Sequence, residues 1–81
     1  MQIDKFMSLI SSGFDVSFNY KDVFYTISLI GDNEMGKLYG IGSDNNYSAD
    51  FDSFESIPDF ILDDKKIIDI ISELKDEDIF Y

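Results

Sequence analysis

The spacing of hydrophobic positions changes twice along the chain, from a helical period to a strand period and back. Ile3, Phe6, Met7 and Ile10 fall at i, i+3, i+4 and i+7, one face of an amphipathic helix. Gly13 follows as a suitable helix stop, because glycine accepts the left-handed backbone found just past a helix end. Residues 14–20 then alternate apolar and polar, the mark of a strand with one buried face. After Lys21-Asp22 the alternation resumes through residues 23–30, so the pair predicts an antiparallel hairpin with Val23, Tyr25, Ile27 and Leu29 on the inner face. The absence of glycine between the two runs weakens the signal for a tight primed turn.

Residues 31–36 read as a loop, and residues 37–42 as a third strand that Gly40 and Gly42 weaken or bulge. A turn at Ser43-Asp44-Asn45-Asn46 leads into a fourth strand over residues 47–51. Asp52-Ser53-Phe54-Glu55 has the pattern of a capping box, which predicts a short helix ending near Pro58. Asp63 or Asp64 would cap a last helix with Ile67, Ile68, Ile70, Ile71 and Leu74 buried, although Pro58 could instead open one longer helix. The expected architecture is a single α+β domain over residues 1–81: an N-terminal helix, a four-stranded antiparallel meander, one short helix and a C-terminal helix packed on one face of the sheet.

A chain of 81 residues has room for one small core, and without cysteine it has no disulfide or thiolate zinc site to support that core. Eight Phe and five Tyr supply the bulk instead. Met1-Gln2-Ile3-Asp4 has no basic start followed by a long apolar run, and no stretch reaches the roughly 20 apolar residues of a membrane span. The chain therefore reads as soluble and cytoplasmic, with no membrane partner.

Histidine, cysteine and arginine are all missing, which removes the usual nucleophile–base pairs, the common zinc ligands and the bidentate phosphate fork. The expectation is a protein that is not an enzyme and needs no cofactor. Its net charge of −11 is uneven: residues 50–81 hold eleven acids against three lysines. Such a surface disfavours direct nucleic-acid binding and suits a basic protein partner.

The hairpin around Phe18-Asn19-Tyr20-Lys21-Asp22-Val23-Phe24-Tyr25, the segment Phe51-Asp52-Ser53-Phe54-Glu55, the helix entry Ile61-Leu62-Asp63-Asp64-Lys65-Lys66 and the closing Asp78-Ile79-Phe80 follow one another along the chain. In these features the chain resembles short acidic proteins of low-GC Gram-positive bacteria and their mobile elements, a family whose function is not established. The resemblance implies a bacterial or phage source and brings no catalytic or binding residues.

Two constellations carry candidate chemistry. Counting Asp44 as position 1 of a calcium loop places Asn46, Ser48, Asp50, Asp52 and Glu55 at positions 3, 5, 7, 9 and 12. Ala49 stands where that loop needs glycine, and the preceding residues read as strand, so alternation on a fourth strand explains the same residues. Asp32-Asn33-Glu34 also gathers oxygens in a turn, and Asp69 with Glu73 forms an i, i+4 carboxylate pair, although Lys65 and Lys66, one turn before Asp69, predict ordinary helix-surface ion pairs with it instead. The second constellation is a partner-binding surface of two halves, the acids Asp69, Glu73 and Asp76 and the apolar tail Ile79, Phe80 and Tyr81. The leading expectation is a non-enzymatic protein-interaction module. The alternative is a nucleic-acid mimic, whose spaced acids would occupy the basic groove of a DNA- or RNA-binding protein.

Overall fold

Gly13, at φ +94°, lies just beyond the first helix, and the alternating segment behind it forms a sheet. A computed structural model describes residues 1–81, apart from the side chain of Asn33. In chain order the elements are α1 (Ile3–Ser11), β1 (Val16–Tyr20), β2 (Val23–Asn33), β3 (Gly36–Ser43), β4 (Ser48–Asp50), a 3-10 helix (Phe54–Asp59), β5 (Ile61–Leu62), β6 (Lys65–Lys66), α2 (Ile67–Glu73), a second 3-10 turn (Asp76–Asp78) and β7 (Ile79–Phe80). The fold is α+β, with an antiparallel sheet in the order β4-β3-β2-β1-β7 and a separate two-stranded hairpin, β5-β6.

The meander from β1 to β4 follows the alternation in the sequence. Val16, Phe18, Tyr25, Ile27, Tyr39 and Ile41 all point to one side, where Phe6 and Ile10 of α1 meet Ile67, Ile70 and Ile71 of α2. Phe18 is fully buried, its ring edge-on to Phe6 at 6.3 Å and tilted against Tyr25 at 5.8 Å between centroids. Ile57 of the first 3-10 helix and Leu62 of β5 complete the layer. The helical elements and the small hairpin thus cover one face of the sheet.

Several boundaries differ from those the sequence predicts. The tail contributes a fifth strand: Ile79 lies opposite Phe18 and Phe80 opposite Ser17, extending the sheet beyond β1. The β1–β2 turn is tight despite lacking glycine, since Lys21 and Asp22 take φ of +51° and +64°. Positive φ at both central residues is the primed pattern whose twist matches that of the flanking strands. β2 runs beyond Ile30 to Asn33, with a register shift between Leu29 and Gly31, so the expected loop shrinks to a short turn.

The capping box sits one residue later than expected. The Ser53 hydroxyl accepts from the Ser56 amide at 3.2 Å, and the Ser56 hydroxyl accepts from the Ser53 amide at 3.1 Å. The short helix ends at Asp59, next to Pro58 as expected, with Pro58 itself inside it. Asp63 and Asp64 cap nothing: they form the β5–β6 turn, with Asp63 at φ +65°, and α2 begins only at Ile67. The same placement contradicts a single helix running from Pro58 to Leu74.

Candidate interaction surface

One face of the sheet is covered, and the residues that alternate away from the core make up the other. Register places Ser17, Thr26, Gly42 and Ser48 side by side across β1 to β4, with Phe80 of β7 at the β1 end. A second row holds Ser28, Gly40 and Asp50. Every side chain in the middle of these rows is small, and the two glycines contribute none. The hydroxyl oxygens of Ser17 and Thr26 lie 2.7 Å apart and satisfy each other.

The result is an open trough of about 380 Å³ lined by Thr26, Ser28, Ile30, Gly40, Gly42 and Asp50, among others. Ile30, half exposed at the register shift, leans over Gly40. A β-carbon at Gly40 would stand 2.8 Å from the Ile30 Cδ1 and 3.2 Å from the Ala49 carbonyl oxygen, so glycine permits this close approach. A β-carbon at Gly42 would meet open space. On the β7 side Phe24 and Phe80 meet at 6.0 Å between centroids, and beyond them Phe14 and Tyr81 meet edge-to-face at 6.2 Å.

The two expected halves of the partner site do not form one surface. Ile79 is only 4% exposed and belongs to the core, because its strand position faces Phe18; this corrects its assignment as a contact residue. Phe80 and Tyr81, at 52% and 57% exposure, remain accessible beside the uncovered face. Asp69, Glu73 and Asp76 belong to the covering layer, and two of them already have partners. Lys65 donates to both Glu73 carboxylate oxygens at 3.0 and 2.9 Å, and Lys5 donates to Asp76 at 2.9 Å. Asp69 is exposed and makes no ion pair among the described residues. The lysine pairs expected for Asp69 are instead Lys65–Glu73 and Lys66–Asp59, because both lysines precede α2 and are not on its surface.

The calcium-loop candidates are spread from a hairpin turn to the start of a 3-10 helix. Asp44 and Asn46 lie in the β3–β4 turn, Ser48 and Asp50 project from β4, and Asp52 and Glu55 lead into the first 3-10 helix. No group of three carboxylates among the described residues converges to hold a metal ion. Asp32 and Glu34 lie at the β2–β3 turn, while the Asn33 side chain named with them lies outside the described residues.

Charge is balanced very differently in the two layers. Lys21 of the β1–β2 turn reaches Asp64 at 2.8 Å and Asp63 at 3.2 Å, which ties the first hairpin to the β5–β6 turn. Tyr20 donates its hydroxyl to the same Asp64 at 2.5 Å. Hydrogen bonds from Lys21 and Tyr20 hold the Asp64 carboxyl below the usual carboxylate range, and the Lys5 hydrogen bond does the same for Asp76. Lys21 is raised by its hydrogen bonds to Asp64 and Asp63, Lys65 by Glu73, and the Tyr25 hydroxyl by burial. Among the described residues all six ion pairs end on Asp59, Asp63, Asp64, Glu73 or Asp76, acids of the covering layer. No described ion pair involves Asp15, Asp22, Asp44, Asp50 or Asp78, which lie on the sheet strands or beside their ends.

A second concavity, about 500 Å³ beside Met1, Lys5, Ser72 and Asp76, holds charged groups that pair with one another, Met1 and Lys5 with Asp76. There the Met1 ammonium donates to the Ile71 carbonyl at 2.9 Å and to the Leu74 carbonyl, at the end of α2 where positive charge is favoured. The trough was missed in the sequence, although its signal is present: the central outward positions Ser17, Thr26, Ser28, Gly40, Gly42 and Ser48 are all small where solvent-facing strands commonly carry longer polar side chains. Compared with protein-family models, curated proteins and solved structures, the chain matches none.

Proposed function

We propose that this chain is a small, acidic, non-enzymatic module that binds another protein. The observation that carries the reading is the uncovered sheet face, an accessible surface with a trough of small residues between Ile30 and the Phe24–Phe80 pair. Interfaces are enriched in aromatic residues, and the Phe24–Phe80 pair supplies them at the β7 side of this face. Among the described residues no polar or charged side chain is buried, and the shifted titrating groups other than Tyr25 are exposed or half-exposed members of ion pairs or hydrogen bonds. Such groups serve as structural ties and carry no sign of tuning for proton transfer.

Nucleic-acid mimicry has less support. Of the eleven acids in residues 50–81, Asp59, Asp63, Asp64, Glu73 and Asp76 are already paired with cations of the same chain, so the array is partly neutralised. Affinity capture from the encoding organism, read by mass spectrometry, tests the reading. Wild type and Asp69→Lys should retain the same protein, and Phe80→Ser with Tyr81→Ser should lose it. Retention of nothing by wild type, or of nothing that the aromatic variant loses, would contradict it.

A further inference from the structure

We infer that the uncovered sheet face docks a basic protein surface: an apolar side chain enters the trough over Gly42, beside Ile30, and lysines or arginines around it meet the acidic border. The inference rests on the interaction-module reading and deepens it by specifying the face and the chemistry of the partner.

Three features converge on this occupant. Ile30 covers Gly40, but Gly42 has open space above it and lies between Thr26 and Ser48, so a projecting side chain can approach the backbone closely there. Apolar groups stand at both sides of the face, Ile30 at the trough itself and the Phe24–Phe80 pair beyond it towards β7. Its border is acidic: Asp50 lines the trough itself, Asp22 and Asp44 lie in the turns, and Asp15 and Asp78 directly precede β1 and β7. Lys37, opposite Asp32, is the one lysine in the five strands of the sheet. The pairs of Lys5, Lys65 and Lys66 and the reach of Lys21 to Asp63 and Asp64 direct four of the other five lysines to the covering layer.

This arrangement discriminates between occupants. A second copy would bring the same acidic border against itself, and like charges facing each other across an interface are strongly unfavourable. Nucleic acid would meet the same repulsion. A basic protein surface satisfies the border, and its apolar side chain fills the centre, giving an apolar core within a charged rim.

The test maps amide chemical shifts of the full chain during titration with a short synthetic peptide that alternates lysine and phenylalanine. A peptide alternating glutamate and phenylalanine supplies the same apolar groups with opposite charge. The lysine peptide should perturb Thr26, Ser28, Gly40, Gly42 and Ser48, weaken as salt rises, and bind at least about ten-fold more tightly than the glutamate peptide. Gly42→Lys, at a position with open space above it, should keep the native spectrum elsewhere and weaken binding about ten-fold or more. No binding, equal binding of both peptides, perturbation confined to α1 and α2, or self-association of the free chain through this face would each overturn the inference. The module reading fails separately, if affinity capture retains no protein that depends on Phe80 and Tyr81.

Discussion

Phe24 and Phe80 lie on strands that do not pair with each other, yet their rings meet at 6.0 Å between centroids above β1. The contact is possible because β1 offers only Ser17 and Asn19 beneath them, side chains too short to keep the rings apart. One neighbour of Phe80 in sequence, Ile79, points through the sheet into the core. The tail therefore serves the fold with one residue and the open face with the next.

That division predicts opposite outcomes for adjacent truncations. Ile79→Ala, Phe18→Ala and Ile27→Ala should each cost roughly 2–5 kcal/mol, the range for deleting buried side chains, and in so small a domain this removes much of the stability. Phe80→Ala should cost no more than about 1 kcal/mol, since it gives up a half-exposed ring contact. Denaturant melts check the set. A Phe80 variant less stable than the Ile79 variant would mean that the faces of β7 are reversed.

Lys21 and Asp64 join the first hairpin to the β5–β6 turn, and the sign of their pH dependence is set by the carboxylate. Asp64 is held below the usual carboxylate range in the folded chain, so it contributes stability above its unfolded value. The contribution is lost as pH falls through the depressed folded value. Wild type should therefore melt above Asp64→Asn near pH 6, and the gap should shrink as pH drops below about 4. The groups are exposed, so added salt should narrow the gap as well. Thermal melts across pH decide it, and a gap that widens on acidification would contradict the pairing.

Asp22 holds a left-handed conformation, at φ +64°, that glycine adopts without steric cost. Asp22→Gly should raise stability by about 1 kcal/mol, the scale of the left-handed penalty for a side-chain residue. It should leave the Lys21–Asp64 contact intact. A fall in the denaturation midpoint would show that the Asp22 side chain contributes more than its backbone costs.

The strands were legible because alternation over residues 14–20 and 23–30 admits one buried face, and Phe18 and Ile27 lie where that alternation puts them. Local signals misled where tertiary pairing decided the outcome. Asp63-Asp64 reads as a helix cap, but Ile61 and Leu62 find strand partners in Lys66 and Lys65, and that pairing turns the aspartates into a hairpin tip. Ile79-Phe80-Tyr81 reads only as an apolar tail that packs on the body or on another molecule, because nothing nearby in sequence reveals β1 as its partner. The trough was hidden for the same reason: Gly40 and Gly42 look like weaknesses in one strand until register sets them beside Ser28, Thr26, Ser48 and Asp50.

The most direct measurement of the central claim is hydroxyl-radical footprinting of the chain with and without its captured protein partner. Ile30, Phe80 and Ile61 are similarly exposed, at 53%, 52% and 54%, but the first two flank the uncovered face while Ile61 belongs to β5 in the covering layer. Docking on the uncovered face predicts that oxidation of Ile30 and Phe80 falls on binding while that of Ile61 is unchanged. Protection of Ile61 with Ile30 and Phe80 still fully reactive would place the partner on the opposite layer and contradict the account.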